Sequence, residues 1–347
     1  MSRRFIVHVG AHKTGTSAFQ EWAVRNRAAL LDAGFLYPEA GATALGNHAA
    51  LVSALGAAIE DKDRSAHLLR LFDKELESRP DAAVILSAEM MTTLRFLPHM
   101  TRLHRSLADY SDHATAVLVV RDQVEWRNSC YAQAREMLTP LPRFRNYMAT
   151  GKLGPRSGNW DFLEQHYREA GFGFETLPFD KRVRDVGIVA AMTSLPCLNG
   201  LANVTTLERI ETNPTVGALA LLVAEQVRAS VAGPTGTLPI HVRTRLASMI
   251  REHAAELSPA RFNGFDDELA EHVRAIYRSS NDAFAERNFG TSWQELFPPK
   301  AIDHVSADAV GELDADQRLH VRTIAGRVII EALENGLLQL APQRPSC

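Results

Sequence analysis

Cysteine is scarce in this sequence. The three in the 347-residue chain, Cys130, Cys197 and Cys347, are odd in number, widely spaced and without a CxxC pair. They exclude a disulfide scaffold and a zinc site built on cysteine, and they fit a reducing, cytoplasmic setting. Long apolar runs are absent too. No stretch approaches the roughly 20 residues that cross a bilayer, so no membrane span is expected. The opening MSRRFIVHVGAH holds a five-residue run that His8 interrupts, too short for the apolar stretch of a secretory signal. Excess charge of either sign is missing: 38 Lys and Arg stand against 41 Asp and Glu, a net charge of −3. That excludes a broad basic field for gripping duplex nucleic acid and leaves room for a local anion site. Lysine is rare, six of the 38 basic residues, and one of the six lies in the first glycine-containing turn. Internal repeats and low-complexity tracts are lacking as well.

What remains is a globular composition, 46% apolar and 23% charged, with length for one large domain or two ordinary ones. Residues 5–9, FIVHV, read as a short strand ended by Gly10. A tight loop follows, then a helix over 17–33 with apolar Phe19, Trp22, Ala23, Leu30 and Leu31. Strand, loop, helix is the opening of a parallel α/β unit. Residues 38–48 read as a loop, 49–59 and 64–78 as helices, and 82–87 as a second, continuously apolar strand. A third strand, 114–120, runs into Arg121 and a helix ending near Glu136. A helix at 160–170 leads to a fourth strand, 174–179, whose Pro178 places it at an edge or a strand end. Beyond residue 185 the segments 185–195, 214–232, 240–256, 266–287 and 316–338 all carry helical spacing of apolar residues. Trp22 and Trp126 read as core residues. The stretch from Leu313 to Leu338 reads as an amphipathic helix for docking or packing, and a homodimer through it is possible.

Two motifs carry chemistry. The first is Gly10-Ala11-His12-Lys13-Thr14-Gly15-Thr16-Ser17, between a strand and a helix. Successive backbone N–H groups in such a turn, with the positive end of the next helix, form an anion cradle. Gly10 and Gly15 have the spacing of a nucleotide-kinase loop, but Thr16 stands in the lysine's place and the lysine lies three positions earlier, at Lys13. Neither the second nor the third strand ends in an obvious magnesium-binding aspartate. Both points argue against magnesium-dependent transfer of a γ-phosphoryl group. The second motif is Arg121 at the carboxyl end of the third strand, with Ser129 eight positions on. Ligands of open α/β sheets gather outside the carboxyl ends of the strands. Arg121 offers a planar fork to a phosphate and Ser129 a hydroxyl.

In this order the two motifs resemble those of sulfotransferases that use 3′-phosphoadenosine 5′-phosphosulfate (PAPS). The GAHKTGTS opening is similar to the bacterial branch, and residues 159–181 resemble the family's helix-then-strand unit. The resemblance implies a three-layer α/β fold, a P-loop-type parallel sheet flanked by helices, with a helical C-terminal portion. Residues 1–215 would form the PAPS-binding core and residues 216–347 a helical portion packed on it. It further implies that Lys13, Thr14, Gly15, Thr16 and Ser17 hold the 5′-phosphosulfate, with His12 as part of that loop, and that Arg121 and Ser129 hold the 3′-phosphate. The Arg-Lys-Gly signature of the cytosolic animal members is missing, and Arg209, ahead of Asn213, is the candidate replacement.

Sulfuryl transfer is an in-line displacement, and by analogy with phosphoryl transfer it depends on positioning and charge stabilisation. Lys13 would stabilise charge on the leaving phosphate oxygen. The transferred group carries less charge than a phosphoryl group, so no metal is expected. The acceptor, a small-molecule, carbohydrate or lipid hydroxyl (an amine less readily), must lose a proton to a base. Glu89, just past the second strand, is the first candidate and His48 the second; Glu89 as a structural partner of Lys13 or Arg121 is the competing reading. A P-loop nucleotide or small-molecule kinase and a nucleotide-binding module without catalysis are the alternative functions.

Overall fold

The computed structural model describes residues 3–149, 156–201, 204, 217–232, 236–257, 260–305 and 310–338. Five strands, β1 (Arg4–Gly10), β2 (Phe35–Leu36), β3 (Ala83–Ser87), β4 (His113–Val120) and β5 (Gly173–Pro178), form one sheet in the order β2-β3-β1-β4-β5. Every pairing is parallel. A parallel sheet covered on both faces needs continuously apolar strands, and the centre supplies them: β3 is buried throughout, as is β4 from Ala116 to Val120. β5 lies at the edge with Pro178 as its last residue, where a missing N–H costs no ladder bond.

Helices α1 (Thr16–Arg25), α2 (Arg27–Asp32), α3 (Ala49–Leu55), α4 (Lys62–Ser78), α5 (Met100–Ala108), α6 (Gln123–Glu136), α7 (Phe144–Ala149), α8 (Trp160–Glu169), α9 (Lys181–Val186) and α10 (Ile188–Thr193) follow in chain order. Phe19 and Trp22 of α1 and Met192 of α10 bury one face of the sheet against Ile6, Ile85, Val117 and Val119. On the other face Phe72 of α4 meets Phe5, and α5 and α8 pack on β4 and β5. The result is three layers.

Several elements differ from expectation. The helix over 17–33 is two helices, because the backbone N–H and the side-chain amide of Asn26 both donate to the Trp22 carbonyl and close the first one. The helix over 185–195 is likewise split, at Gly187. The two-residue β2 and the helix α5 were not expected. Buried Met100, Leu103 and Leu107 give α5 its inward stripe.

The residues group into two compact units. The first comprises Met1–Gln123, Leu153–Asn213 and Ala275–Pro299 and contains the whole sheet. Helix α13 (Asp267–Phe289), which follows α11 (Ala218–Ala232) and α12 (Ile240–His253), ends in this unit. There its Arg287 and Asn288 donate to the fully buried Glu164 carboxylate of α8, each at 2.8 Å, joined by Arg168 at 2.8 Å. After α14 (Trp293–Leu296) the last helix is α15 (Ala315–Glu334). The second unit comprises Val124–Lys152, Pro214–Arg274 and Lys300–Cys347. In it α11, α12 and α15 pack through Leu222, Leu246, Ile250, Ile324 and Val328, beside an aromatic cluster of Tyr131, Phe144, Phe262 and Phe265.

Candidate functional site

β1 is the middle strand, and its neighbours β3 and β4 lie on opposite sides of it. The loops leaving these three strands therefore open a crevice at their carboxyl ends. The β1–α1 loop, residues 11–15, sits there. Its first amide, Ala11 N–H, donates to the Val119 carbonyl of β4 at 3.1 Å, and the buried Thr14 hydroxyl donates to the Ala11 carbonyl at 2.6 Å. Gly10 (φ 101°) and Gly15 (φ 78°) take left-handed backbone, and a Cβ on Gly10 would stand 3.1 Å from the Glu89 Cα. Lys13 also has a left-handed backbone, φ 64°. In a residue with a Cβ, strain of this kind clusters at ligand-binding turns. Helix α1 begins at this loop with no side-chain cap and no acidic residue in its first turn. Its first backbone N–H groups thus have no capping side chain. Among the described residues nothing makes a hydrogen bond or ion pair with the Lys13 ammonium.

Arg121 leaves the end of β4 and donates to the Lys13 carbonyl at 2.8 Å. Its guanidinium also lies 5.7 Å from the centre of the Phe179 ring, and Arg184 of α9 lies 5.8 Å from the same ring. Phe179 in turn faces Gly15, where a Cβ would stand 3.2 Å from the ring. Sequence reasoning did not single out Phe179 or Arg184. The signal was available, since Phe179 directly follows β5, at another strand's carboxyl end.

Glu89 opens a short 3-10 turn after β3. Its Oε2 lies 2.7 Å from His12 Nδ1, and its Oε1 accepts a hydrogen bond from the Thr16 hydroxyl. Neither Lys13 nor Arg121 is its partner. Burial alone would raise the Glu89 carboxyl; the hydrogen bonds from His12 and Thr16 outweigh it and hold the group below the ordinary carboxylate range.

His48 is fully buried ahead of α3, with Nε2 2.9 Å from the Pro38 carbonyl and Nδ1 accepting from the Ser87 N–H at 3.1 Å. Both ring nitrogens serve the backbone, and burial pushes its pKa down to about 4. This geometry leaves it no nitrogen for a substrate proton. A second buried histidine escaped sequence reasoning: His8 of β1 has Nδ1 2.7 Å from Ser87 Oγ, which also accepts from Gln20 Nε2 at 2.9 Å. Burial pushes His8 down to about 4 against the pull of the Glu89 charge.

The structure therefore brings His12, Lys13, Thr14, Gly15, Thr16, Glu89 and Arg121 together. Ser17 is exposed in the first turn of α1. Ser129 is half-buried in α6, in the second unit. Arg209 lies outside the described residues. Among the described residues no group of three or more His, Cys, Asp or Glu side chains could hold a metal ion, and no helix is long and apolar enough to cross a membrane.

No protein-family model and no curated protein matches this chain. Among solved structures it is similar to the crystal structure of a sulfotransferase from Alicyclobacillus acidocaldarius, at 17% identity and a TM-score of 0.41, over 66% of this chain and 94% of that one.

Proposed function

We propose that this protein is a sulfotransferase that moves a sulfuryl group from PAPS to a hydroxyl acceptor. The observation that carries the reading is the hydrogen bond from Arg121 to the Lys13 carbonyl. It joins two motifs 108 residues apart in sequence at one loop. The loop suits a phosphosulfate: an uncapped helix end and a backbone turned by Gly10, Lys13 and Gly15 present N–H groups to an anion. Lys13 through Ser17 hold that group, and Lys13 places its ammonium at the leaving oxygen. Arg121 takes the 3′-phosphate. The acceptor's proton passes to the Glu89–His12 pair. Thr16 speaks against the kinase alternative: where a kinase loop has its lysine, this chain has a hydroxyl given to Glu89.

Calorimetric titration in metal-free buffer tests the reading. Adenosine 3′,5′-bisphosphate binds more tightly than adenosine 5′-phosphate, because each lost hydrogen bond to a charged group costs about 1.5–3 kcal/mol, roughly tenfold to a hundredfold in Kd. Equal affinity for the two nucleotides refutes it.

A further inference from the structure

We infer that Phe179 is a positioning residue of the nucleotide site. Its ring holds the Arg121 guanidinium at a set place beside the β1–α1 loop, which makes the site selective for where on the ribose the second phosphate stands. The link to a nucleotide rests on the sulfotransferase reading; the hold on Arg121 does not.

Strand register brings the two residues together. β4 and β5 pair in parallel with Val120 opposite Pro178. Arg121 and Phe179 are the next residue on each side, so they leave neighbouring strands side by side at the carboxyl ends. The backbone is fixed at both. The Phe179 N–H donates to the Val120 carbonyl at 2.7 Å, and the Arg121 carbonyl accepts from the Trp160 indole N–H at 3.1 Å. Asp180, directly after Phe179, accepts from the Val183 N–H at 3.0 Å and caps α9.

The ring is also confined. Partly buried, it packs against the core cluster that includes Phe19, Ile188 and Met192. Toward the loop it faces Gly15, where the missing side chain leaves it room. The Arg121 and Arg184 guanidiniums lie 5.7 and 5.8 Å from its centre, within the roughly 6 Å at which a cation is drawn to an aromatic face. Arg121 is therefore held twice, by the ring and by the Lys13 carbonyl that accepts from its Nη1 at 2.8 Å.

This hold bears on recognition. A swinging arginine loses rotamer freedom when it closes on a phosphate. One fixed by the fold has lost that freedom already, and its planar fork points in a set direction. Such a guanidinium meets a phosphate on one ribose carbon and misses one on the neighbouring carbon. Adenosine 3′,5′-bisphosphate and its 2′,5′ isomer carry the same charge and the same atoms, so a difference between them reports position. A swinging arginine would serve both.

Calorimetry with the full chain reads this selectivity. The parent binds the 3′,5′-bisphosphate more tightly than the 2′,5′ isomer. Phe179→Leu keeps apolar bulk beside the loop and removes the aromatic face. In it the ratio of the two affinities shrinks by about two- to fivefold, the size of one cation–π contact, while affinity for adenosine 5′-phosphate stays as in the parent. Phe179→Met, also apolar and without a ring, gives the same shift and stands in should the leucine variant fold poorly. An unchanged isomer ratio, or an equal loss of affinity for all three nucleotides, overturns the positioning role. A urea double-mutant cycle of Arg121→Gln and Phe179→Leu reads the hold without any nucleotide. The two side chains couple by about two- to fivefold in the unfolding constant; additive costs overturn the hold. A parent that binds the 3′,5′-bisphosphate no more tightly than adenosine 5′-phosphate removes the sulfotransferase reading, and the cycle then decides the hold alone.

Discussion

Replacing Gly15 by alanine separates two costs that the loop imposes. The first is backbone strain: φ is 78° at this position, and a Cβ in left-handed backbone costs about 1–2 kcal/mol. The second is a contact, because the new methyl would stand 3.2 Å from the Phe179 ring, closer than ordinary van der Waals distance. The ring cannot retreat freely, since the Arg121 and Arg184 guanidiniums lie against it. Gly15→Ala should therefore destabilise the first unit by more than strain alone, about 2–5 kcal/mol with overpacking included. In a Phe179→Leu background the contact is relieved and the strain stays, so the same substitution should cost only about 1–2 kcal/mol. Urea unfolding followed by tryptophan fluorescence reads both numbers, because Trp22, Trp160 and Trp293 are all buried in that unit. Identical costs in the two backgrounds would show that Phe179 does not set the height of the loop. No cost in either would refute the left-handed turn itself.

Two further outcomes follow from the crevice. Lys13→Ala lowers the turnover number by about 10²–10³ while bisphosphate affinity changes far less, because an ammonium aimed at developing charge acts in the transition state; steady-state kinetics with calorimetry checks this, and a weaker Kd with unchanged turnover contradicts it. His8 and His48 are held neutral by burial, with pKa values near 4 against an ordinary 6.5. Unfolding lets both protonate, so the stability they contribute is full above pH 6.5 and declines as pH falls toward 4. Each contributes a slope of about 1.4 kcal/mol per pH unit. His48→Asn removes one share of that slope, and urea midpoints measured across the window show it; an unaltered slope counts against the neutral, buried ring.

Much of the fold was legible because its strands are continuous apolar runs, FIVHV, AVILS and ATAVLVV, each closed by a chemically distinctive turn. What stayed hidden has local causes. Asn26 ends α1 through a side-chain bond that apolar periodicity does not register. β2 is two residues long, below any pattern, and exists because β3 lies beside it. In the crevice, loop spacing pointed to Lys13 and Thr16, and position after a strand pointed to Glu89 and Arg121. The partners were not legible: Glu89 bonds His12 and Thr16 rather than a cation. The spacing of residues 10–17 says which side chains share a turn and not which way each ring faces. His48, attractive as a histidine near a glycine loop, is spent on the Pro38 and Ser87 backbone, a use visible only once β3 is in place.

The buried Glu164 also bears on how the chain acquires its form during synthesis. Its guanidinium partner Arg287 is 123 residues downstream. At about 5–20 residues per second, the ribosome delivers that partner roughly 6–25 s after Glu164 itself. All five strands have been made by then, yet the carboxylate on α8 has only Arg168 beside it. A buried carboxylate held by one guanidinium in place of two is only partly compensated. The last layer over β5 therefore gains its full set of polar bonds only when the far end of α13 arrives.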